Sequence, residues 1–296
     1  MRRRTRLGLT LALVSAQAVA AAAAPRAQLV GSYDWEVADA GFGGFSGLDI
    51  SADGVLFIAV SDSGATVEGQ FQRDPDGRVT AVSAGPVVKL LAPDGERLRS
   101  AKADSEGVAL APGGGFYLSF ELFDRVAYYP GRRQPSEREL RAEVFADLEY
   151  NSGLEALAID AEGTLYTLPE RSGAKGRPFP VFRYRNEAWD QPFAIRRDPG
   201  WLPVGADFGP DGRLYLLERD FWPALGFKSR VRRFTIADDR IAAEETVLET
   251  SAGVHDNLEG IAVWRDPAGA TRLTMIADDN FLPVQRTEIA DYRIEE

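Results

Sequence analysis

One hairpin recurs along this chain, and that repetition restricts its fold more than any single residue does. The copies read "FSGLDISADGVLFIAVSDSG" (Phe45 to Gly64), "DSEGVALAPGGGFYLSFE" (Asp104 to Glu121), "NSGLEALAIDAEGTLYTLPER" (Asn151 to Arg171), "PVGADFGPDGRLYLLERD" (Pro203 to Asp220) and "NLEGIAVWRDPAGATRLTMIADDN" (Asn257 to Asn280). In each, an alternating apolar run meets a glycine-bearing turn and is followed by an aromatic or aliphatic run, the signature of two antiparallel strands. Gly114, Gly163 and Gly212 recur at 49-residue intervals, and a period near fifty points to a propeller or a solenoid. Further strand-like runs follow the hairpins: "RVAYYP" and "RAEVFADL", "PVFRYR" and "QPFAIRR", "RVRRFTI" and "AEETVLET". Each unit therefore supplies about four strands, one blade of an all-β propeller. The expectation is five blades, with six possible if Thr66 to Pro86 holds another. That stretch reads instead as a long insertion on the first blade. The last unit is one strand short after "PVQRTEIADYRI", and "AQLVGSYDWEV" (Ala27 to Val37) is placed to supply the missing strand and close the ring.

Acidic residues sit at matching positions of these hairpins. The start of a blade's first strand and the end of its second lie on one face, because the two run antiparallel. Glu155 and Glu170 are then neighbours at one mouth of the channel, as are Glu106 with Glu121, Glu259 with Asp278 and Asp279, Ser46 with Asp62, and Val204 or Gly205 with Glu218. So many carboxylates at a narrow mouth repel one another unless some are protonated or a cation neutralises them. Oxygen donors of this kind suit Ca²⁺ better than Mg²⁺. The expected ligands are Ser46, Glu106, Glu155 and Glu259. The competing reading pairs the acids with arginines, of which Arg125, Arg171 and Arg219 lie nearest in sequence.

Composition narrows the chemistry. There is no cysteine, which excludes disulfides, a thiol nucleophile and thiolate metal sites, and one histidine, His255, which excludes a polyhistidine zinc site. "MRRRTRLGLTLALVSAQAVAAAAAP" carries a basic cap, an apolar run and small residues, the layout of an export signal over residues 1–24. Its paired arginines leave the twin-arginine route open. An uncleaved membrane anchor is the alternative. Residues 25–296 then form a single domain in the periplasm or outside the cell, free of the membrane. Loss of Arg2, Arg3, Arg4 and Arg6 takes the formal charge from −11 to −15, which disfavours nucleic acid as a partner.

The motifs "SGLDIS" with "VSDSG", "DSEGVAL" with "YLSFE", "NSGLEALAID", "RLYLLERD" and "NLEGIAV" resemble the phytase-like family, "esterase-like activity of phytase", of exported bacterial proteins. The resemblance spans about Phe45 to Asn280 and implies a β-propeller with phosphoester-hydrolase activity. The Ser, Glu, Glu, Glu order of strand starts is also similar to calcium-activated apyrases, from which the fourth blade departs, since Val204-Gly205 offers no ligand. On this reading the protein is a monomeric, metal-dependent phosphoric ester hydrolase acting on a small anionic substrate. Glu121 or Glu170 orients water, His255 serves as general acid, and Arg171, Lys175 and Arg177 of "ERSGAKGRP" bind phosphate. No G-x-S-x-G nucleophile elbow is present. Two alternatives stand beside it. One is a calcium-dependent lactonase; the other is a non-catalytic propeller with structural calcium, binding a ligand or protein through an aromatic platform of "RDFWPALGF" and Trp201.

Overall fold

A computed structural model describes residues 26–296; the expected export signal lies outside the described residues. Five antiparallel sheets of four strands each, the first with the short Val88–Lys89 paired on as a fifth, form the ring of a five-bladed β-propeller. From the channel outward, blade one comprises Phe45–Ile50, Leu56–Ser61, Ala65–Arg73 and Val79–Ala84. Blade two comprises Ser105–Leu110, Phe116–Phe120, Arg125–Tyr129 and Arg138–Leu140. Blade three comprises Leu154–Ile159, Leu165–Pro169, Phe179–Arg185 and Ala188–Ile195. Blade four comprises Leu202–Phe208, Leu214–Trp222, Gly226–Ala237 and Arg240–Glu249. Blade five takes Asn257–Arg265, Thr271–Asp278 and Glu288–Glu295 from the end of the chain and Arg26–Asp34 from its beginning. That last strand pairs antiparallel with Glu288–Glu295, from Arg26 opposite Glu295 to Asp34 opposite Glu288. The expected ring closure is present.

The repeated turn has one geometry. The Gly163 amide donates to the Asp160 carbonyl at 3.0 Å, and the Gly212 amide to the Gly209 carbonyl at 2.9 Å. Both glycines have positive φ, 84° and 72°, a region that a side chain disfavours and glycine does not. The core is divided into five slabs, each between two neighbouring sheets. Tyr215, Leu217 and Val231 of blade four, for example, meet Leu258, Met275 and Tyr292 of blade five. The inner strands are buried along nearly their whole length, whereas the outermost strands alternate toward solvent.

Two expectations are corrected. Thr66 to Pro86 is no insertion: it carries most of the two outer strands of blade one, joined by a tight turn in which Asp74 Oδ1 accepts the amides of Asp76 and Arg78. "RAEVFADL" is not a strand. The fourth strand of blade two is the short Arg138–Leu140, and Glu143–Asp147 forms a 3₁₀ turn that sends Phe145 into the slab between blades two and three.

Candidate metal centre

The mouth of the channel is built by one local device used five times. In every blade the pairing of the first two strands slips at the same place: between Phe45 and Gly47, Ser105 and Val108, Leu154 and Ala156, Pro203 and Gly205, and Leu258 and Gly260. The residues inside these bulges are Ser46, Glu106 (with Gly107), Glu155, Val204 and Glu259. A bulge leaves its extra residue out of the ladder and re-aims its side chain. The four expected ligands, Ser46, Glu106, Glu155 and Glu259, therefore all hold the equivalent station, and Val204 is the vacancy of the fourth blade. A small residue follows the bulged side chain in every blade, Gly47, Gly107, Ala156, Gly205 and Gly260, because neighbouring inner strands approach backbone to backbone. A Cβ on Gly47 would collide with the Glu106 carbonyl, and one on Gly205 with the Glu259 carbonyl.

The ends of the second strands supply another ring. The residues that follow the partners of Phe45, Ser105, Leu154, Pro203 and Leu258 are Asp62, Glu121, Glu170, Arg219 and Asp278. The expectation for blade four is corrected by one residue. Glu218 points the other way, is fully buried, and accepts from Arg230 at 2.9 Å and Arg232 at 2.6 Å within its own sheet. Arg219 takes its place at the rim. Its guanidinium contacts Glu170 at 3.1 Å, Asn257 Oδ1 at 2.9 Å, and Glu259. Asn257 in turn donates to Glu259 at 2.8 Å.

Neutralisation is uneven around the rim. Arg219 and the half-exposed Arg171, 3.1 Å from Glu170, serve Glu170 and Glu259. Among the described residues no ion pair reaches Asp62, Asp104, Glu106, Glu121, Glu155 or Asp278. Asp104, Glu106 and Glu121 each bring a carboxylate oxygen within 4.8 Å of the others. Burial first, then the charges of Glu259, Asp104, Glu121 and Asp62, hold the Glu106 carboxyl well above the usual range. Glu155 is raised by burial and by Glu106, Glu170 and Glu259, against the pull of Arg219. Burial and the neighbouring Asp104 and Glu170 push Glu121 to about 7, and burial with Glu259 pushes Asp278 to about 8. Arg219 stays protonated because Glu259, Glu155 and Glu170 outweigh its burial. Carboxyls gathered this closely, buried and with no cationic side chain beside them, form an all-oxygen donor set of the kind a hard cation takes. Asp104 was missed by the sequence argument. A polar residue two places before the bulge, seen again at Asn257, was its signal.

The other expected residues are distributed differently. Arg171 touches the rim, but Lys175 is exposed, and Arg177 lines with Arg171 a separate cleft of about 340 Å³ beside Asp147 and Glu149. His255 is buried with both ring nitrogens engaged, Nδ1 to Glu288 at 2.8 Å and Nε2 to the Tyr292 hydroxyl at 2.6 Å. The histidine, the Asp256 amide and Arg286 overcome burial to draw Glu288 down to about 2. No nitrogen of His255 is free for a leaving group. Arg125 pairs with Glu139 at 3.1 Å and stacks on Phe120, away from Glu121. Trp201 is buried beneath Arg230 and Lys228 and forms no platform. A cavity of about 840 Å³ opens at the opposite end of the channel and includes Asp49 and Asp207. Their oxygens are spent on the amides of neighbouring blades, Asp49 on Leu110 and Asp207 on Val263, each at 2.6 Å. That end ties blades together.

Fold and site together define a five-bladed propeller with an acidic, cation-competent pore rim. The chain belongs to the phytase-like family described as "esterase-like activity of phytase", whose profile matches residues 40–281. No curated protein matches the chain. Among solved structures it is similar to a glutaminyl cyclase from Myxococcus xanthus (15% identity, TM-score 0.49, covering 92% of this chain and 97% of that one). It is also similar to virginiamycin B lyase from Staphylococcus aureus (12%, 0.46, 91% and 99%). A third is a gluconolactonase from Xanthomonas campestris (16%, 0.43, 84% and 72%). Overlaps this loose say nothing about chemistry.

Proposed function

We propose that the protein is an exported, calcium-dependent hydrolase of small phosphoesters that works at the acidic rim. The observation that carries the reading is the cluster Asp104, Glu106 and Glu121, gathered within 4.8 Å with no cationic partner among the described residues, in a member of a phytase-like family. Glu106 with Asp104 and Glu121 would hold the ion, and Glu155, Glu259 and Ser46 stand at the same rim to complete the oxygen set. A bound Ca²⁺ would neutralise the carboxylates and polarise a substrate oxygen. Glu170 stands at the rim beside Arg219, placed to accept a proton from water and orient it toward the ester. Arg219, held between Glu170 and Glu259, presents its guanidinium edge to an anionic oxygen, and Arg171 adds a second, solvent-facing charge. Lys175 and Arg177 are left to attract anions from a distance at most. Export rests on the leader over residues 1–24; no helix of the described residues is long and apolar enough to cross a membrane.

The test is phosphate release from p-nitrophenyl phosphate, bis-p-nitrophenyl phosphate, phytate and nucleotides, before and after chelation and after Ca²⁺ is restored. The reading expects release that chelator abolishes and Ca²⁺ returns. Equal release with and without chelator, or none from the loaded protein, overturns it. A calcium-dependent lactonase is the second reading, favoured by the apolar Leu202, Phe221 and Phe227 that share a cleft with Glu170, Arg171 and Arg219, and lactone opening in the same series would support it.

A further inference from the structure

We propose that the apolar cleft between the tip of the blade-four hairpin and the blade-five loop is a subsite for the hydrocarbon part of the substrate, so that the rim acts on alkyl or aryl esters rather than on small polyanions. This rests on the hydrolase reading above and adds to it the class of the ester's organic group.

The cleft is an elaboration that the propeller does not need. In blades one to three the second strand ends at the rim, with Ser61, Phe120 and Pro169. In blade four it runs on through Asp220, Phe221 and Trp222, and the ladder continues to the tip, Phe221 opposite Phe227 and Trp222 opposite Gly226. The hairpin therefore stands above the rim as a paired ribbon. It carries Phe221 58%, Trp222 47% and Leu225 59% exposed. Opposite it, the loop before Glu288 carries Leu282 49% and Val284 87% exposed. That loop is pinned from below: Asp256 accepts the Gln285 side-chain amide and the Arg286 backbone amide, each at 2.9 Å. Both walls are held in place with their apolar faces in water, an arrangement that marks a binding surface rather than a folding need.

The chemistry of the occupant follows from what the cleft joins. Phe221, Phe227, Leu282 and Val284 form the apolar side of one space of about 580 Å³, whose other side is polar, with Asn280 and Arg286. Phe221 and Phe227 also line a second of about 310 Å³ together with Glu170, Arg171, Leu202 and Arg219. The two spaces share Phe221 and Phe227, so this aromatic wall leads from the cleft to the guanidinium and carboxylate of Arg219 and Glu170 at the rim. A ligand with its reacting group at Arg219 extends its hydrocarbon along Phe221 toward Val284. The formal charge of −11 over the chain argues against an anionic lipid surface as the occupant.

The experiment titrates the calcium-loaded protein calorimetrically with n-alkylphosphonates from methyl to octyl, for the wild type and for the uncharged variants Phe221→Ser and Val284→Ser. Each methylene that enters the cleft should tighten binding about fourfold, the ratio equivalent to ~0.8 kcal/mol. In both variants the gain per methylene should shrink while the methylphosphonate affinity is unchanged. Val284 is the most exposed of these side chains, so its substitution leaves the fold intact. Methyl and octyl phosphonates of equal affinity overturn the subsite and leave the hydrolase reading standing; no binding of any phosphonate overturns both.

Discussion

Arg219 is the residue on which the rim's charge balance turns. It enters a ring in which the other four second-strand ends are acidic, and it neutralises Glu259 and Glu170 while Asp104, Glu106 and Glu121 have no ion-pair partner among the described residues. Arg219→Gln should lower the melting temperature of the chelated protein, because two buried carboxylates lose their partner. It should also tighten Ca²⁺ binding by about tenfold or more, since the ion no longer competes with a guanidinium. Melts and calorimetric titration read the two effects. Glu106→Gln predicts the opposite signs: the chelated protein melts higher, by on the order of a kcal/mol of stability for each pKa unit of repulsion removed, and Ca²⁺ binds weakly or not at all. Burial, with repulsion added to it, fixes a pH dependence. Rim carboxyls bind protons more tightly in the folded chain than in the unfolded one, with Glu121 near 7 and Asp278 near 8. The stability they contribute is full below the ordinary carboxylate value of ~4 and is lost as pH rises through those values. Chelated protein should therefore melt lower at pH 8 than at pH 5, with the difference abolished by saturating Ca²⁺.

At the scale of the element, the bulge does the positioning. A regular ladder would pair the residue ahead of each small residue in register, whereas the slip frees one side chain per blade toward the channel and lets Gly47, Gly107, Gly205 and Gly260 draw the inner strands together. Gly205→Val should cost about 1–3 kcal/mol, as its side chain meets the Glu259 carbonyl, and should weaken Ca²⁺ binding by moving Glu259; a variant melting as the wild type would refute the close contact. The errors of the sequence reading also belong to this scale. In a strand, a shift of one residue exchanges the two faces, which is why Glu218 was expected at the rim and Arg219 stands there. Charge made the acid the attractive choice, and only the register of Pro203 against Glu218 decides between them. "RAEVFADL" alternates like a strand, yet Phe145 has an apolar slab to enter and the ladder of blade two is complete without it.

Across the whole molecule, one N-terminal strand makes the ring a closed object. Deleting Arg26–Asp34 would bare the edge of Glu288–Glu295 and open the slab between blades five and one, where Tyr33 and Trp35 pack with Phe45. The truncated chain is expected to lose cooperative unfolding or to aggregate through that edge, as circular dichroism melts and light scattering would show; a sharp melt at the original temperature would contradict it. Hairpin period, blade number, the closing strand and the acidic stations at Glu106, Glu155 and Glu259 were all legible from the chain, because each is set by local alternation, turn glycines and repetition. Tertiary structure alone decided which acids find a cation of their own, that His255 is spent on Glu288 and Tyr292, and that Phe221 and Val284 face one another across the mouth. Those outcomes depend on contacts between blades distant in sequence, and a repeat specifies the shape of each unit while leaving to ring closure the question of which side chains meet.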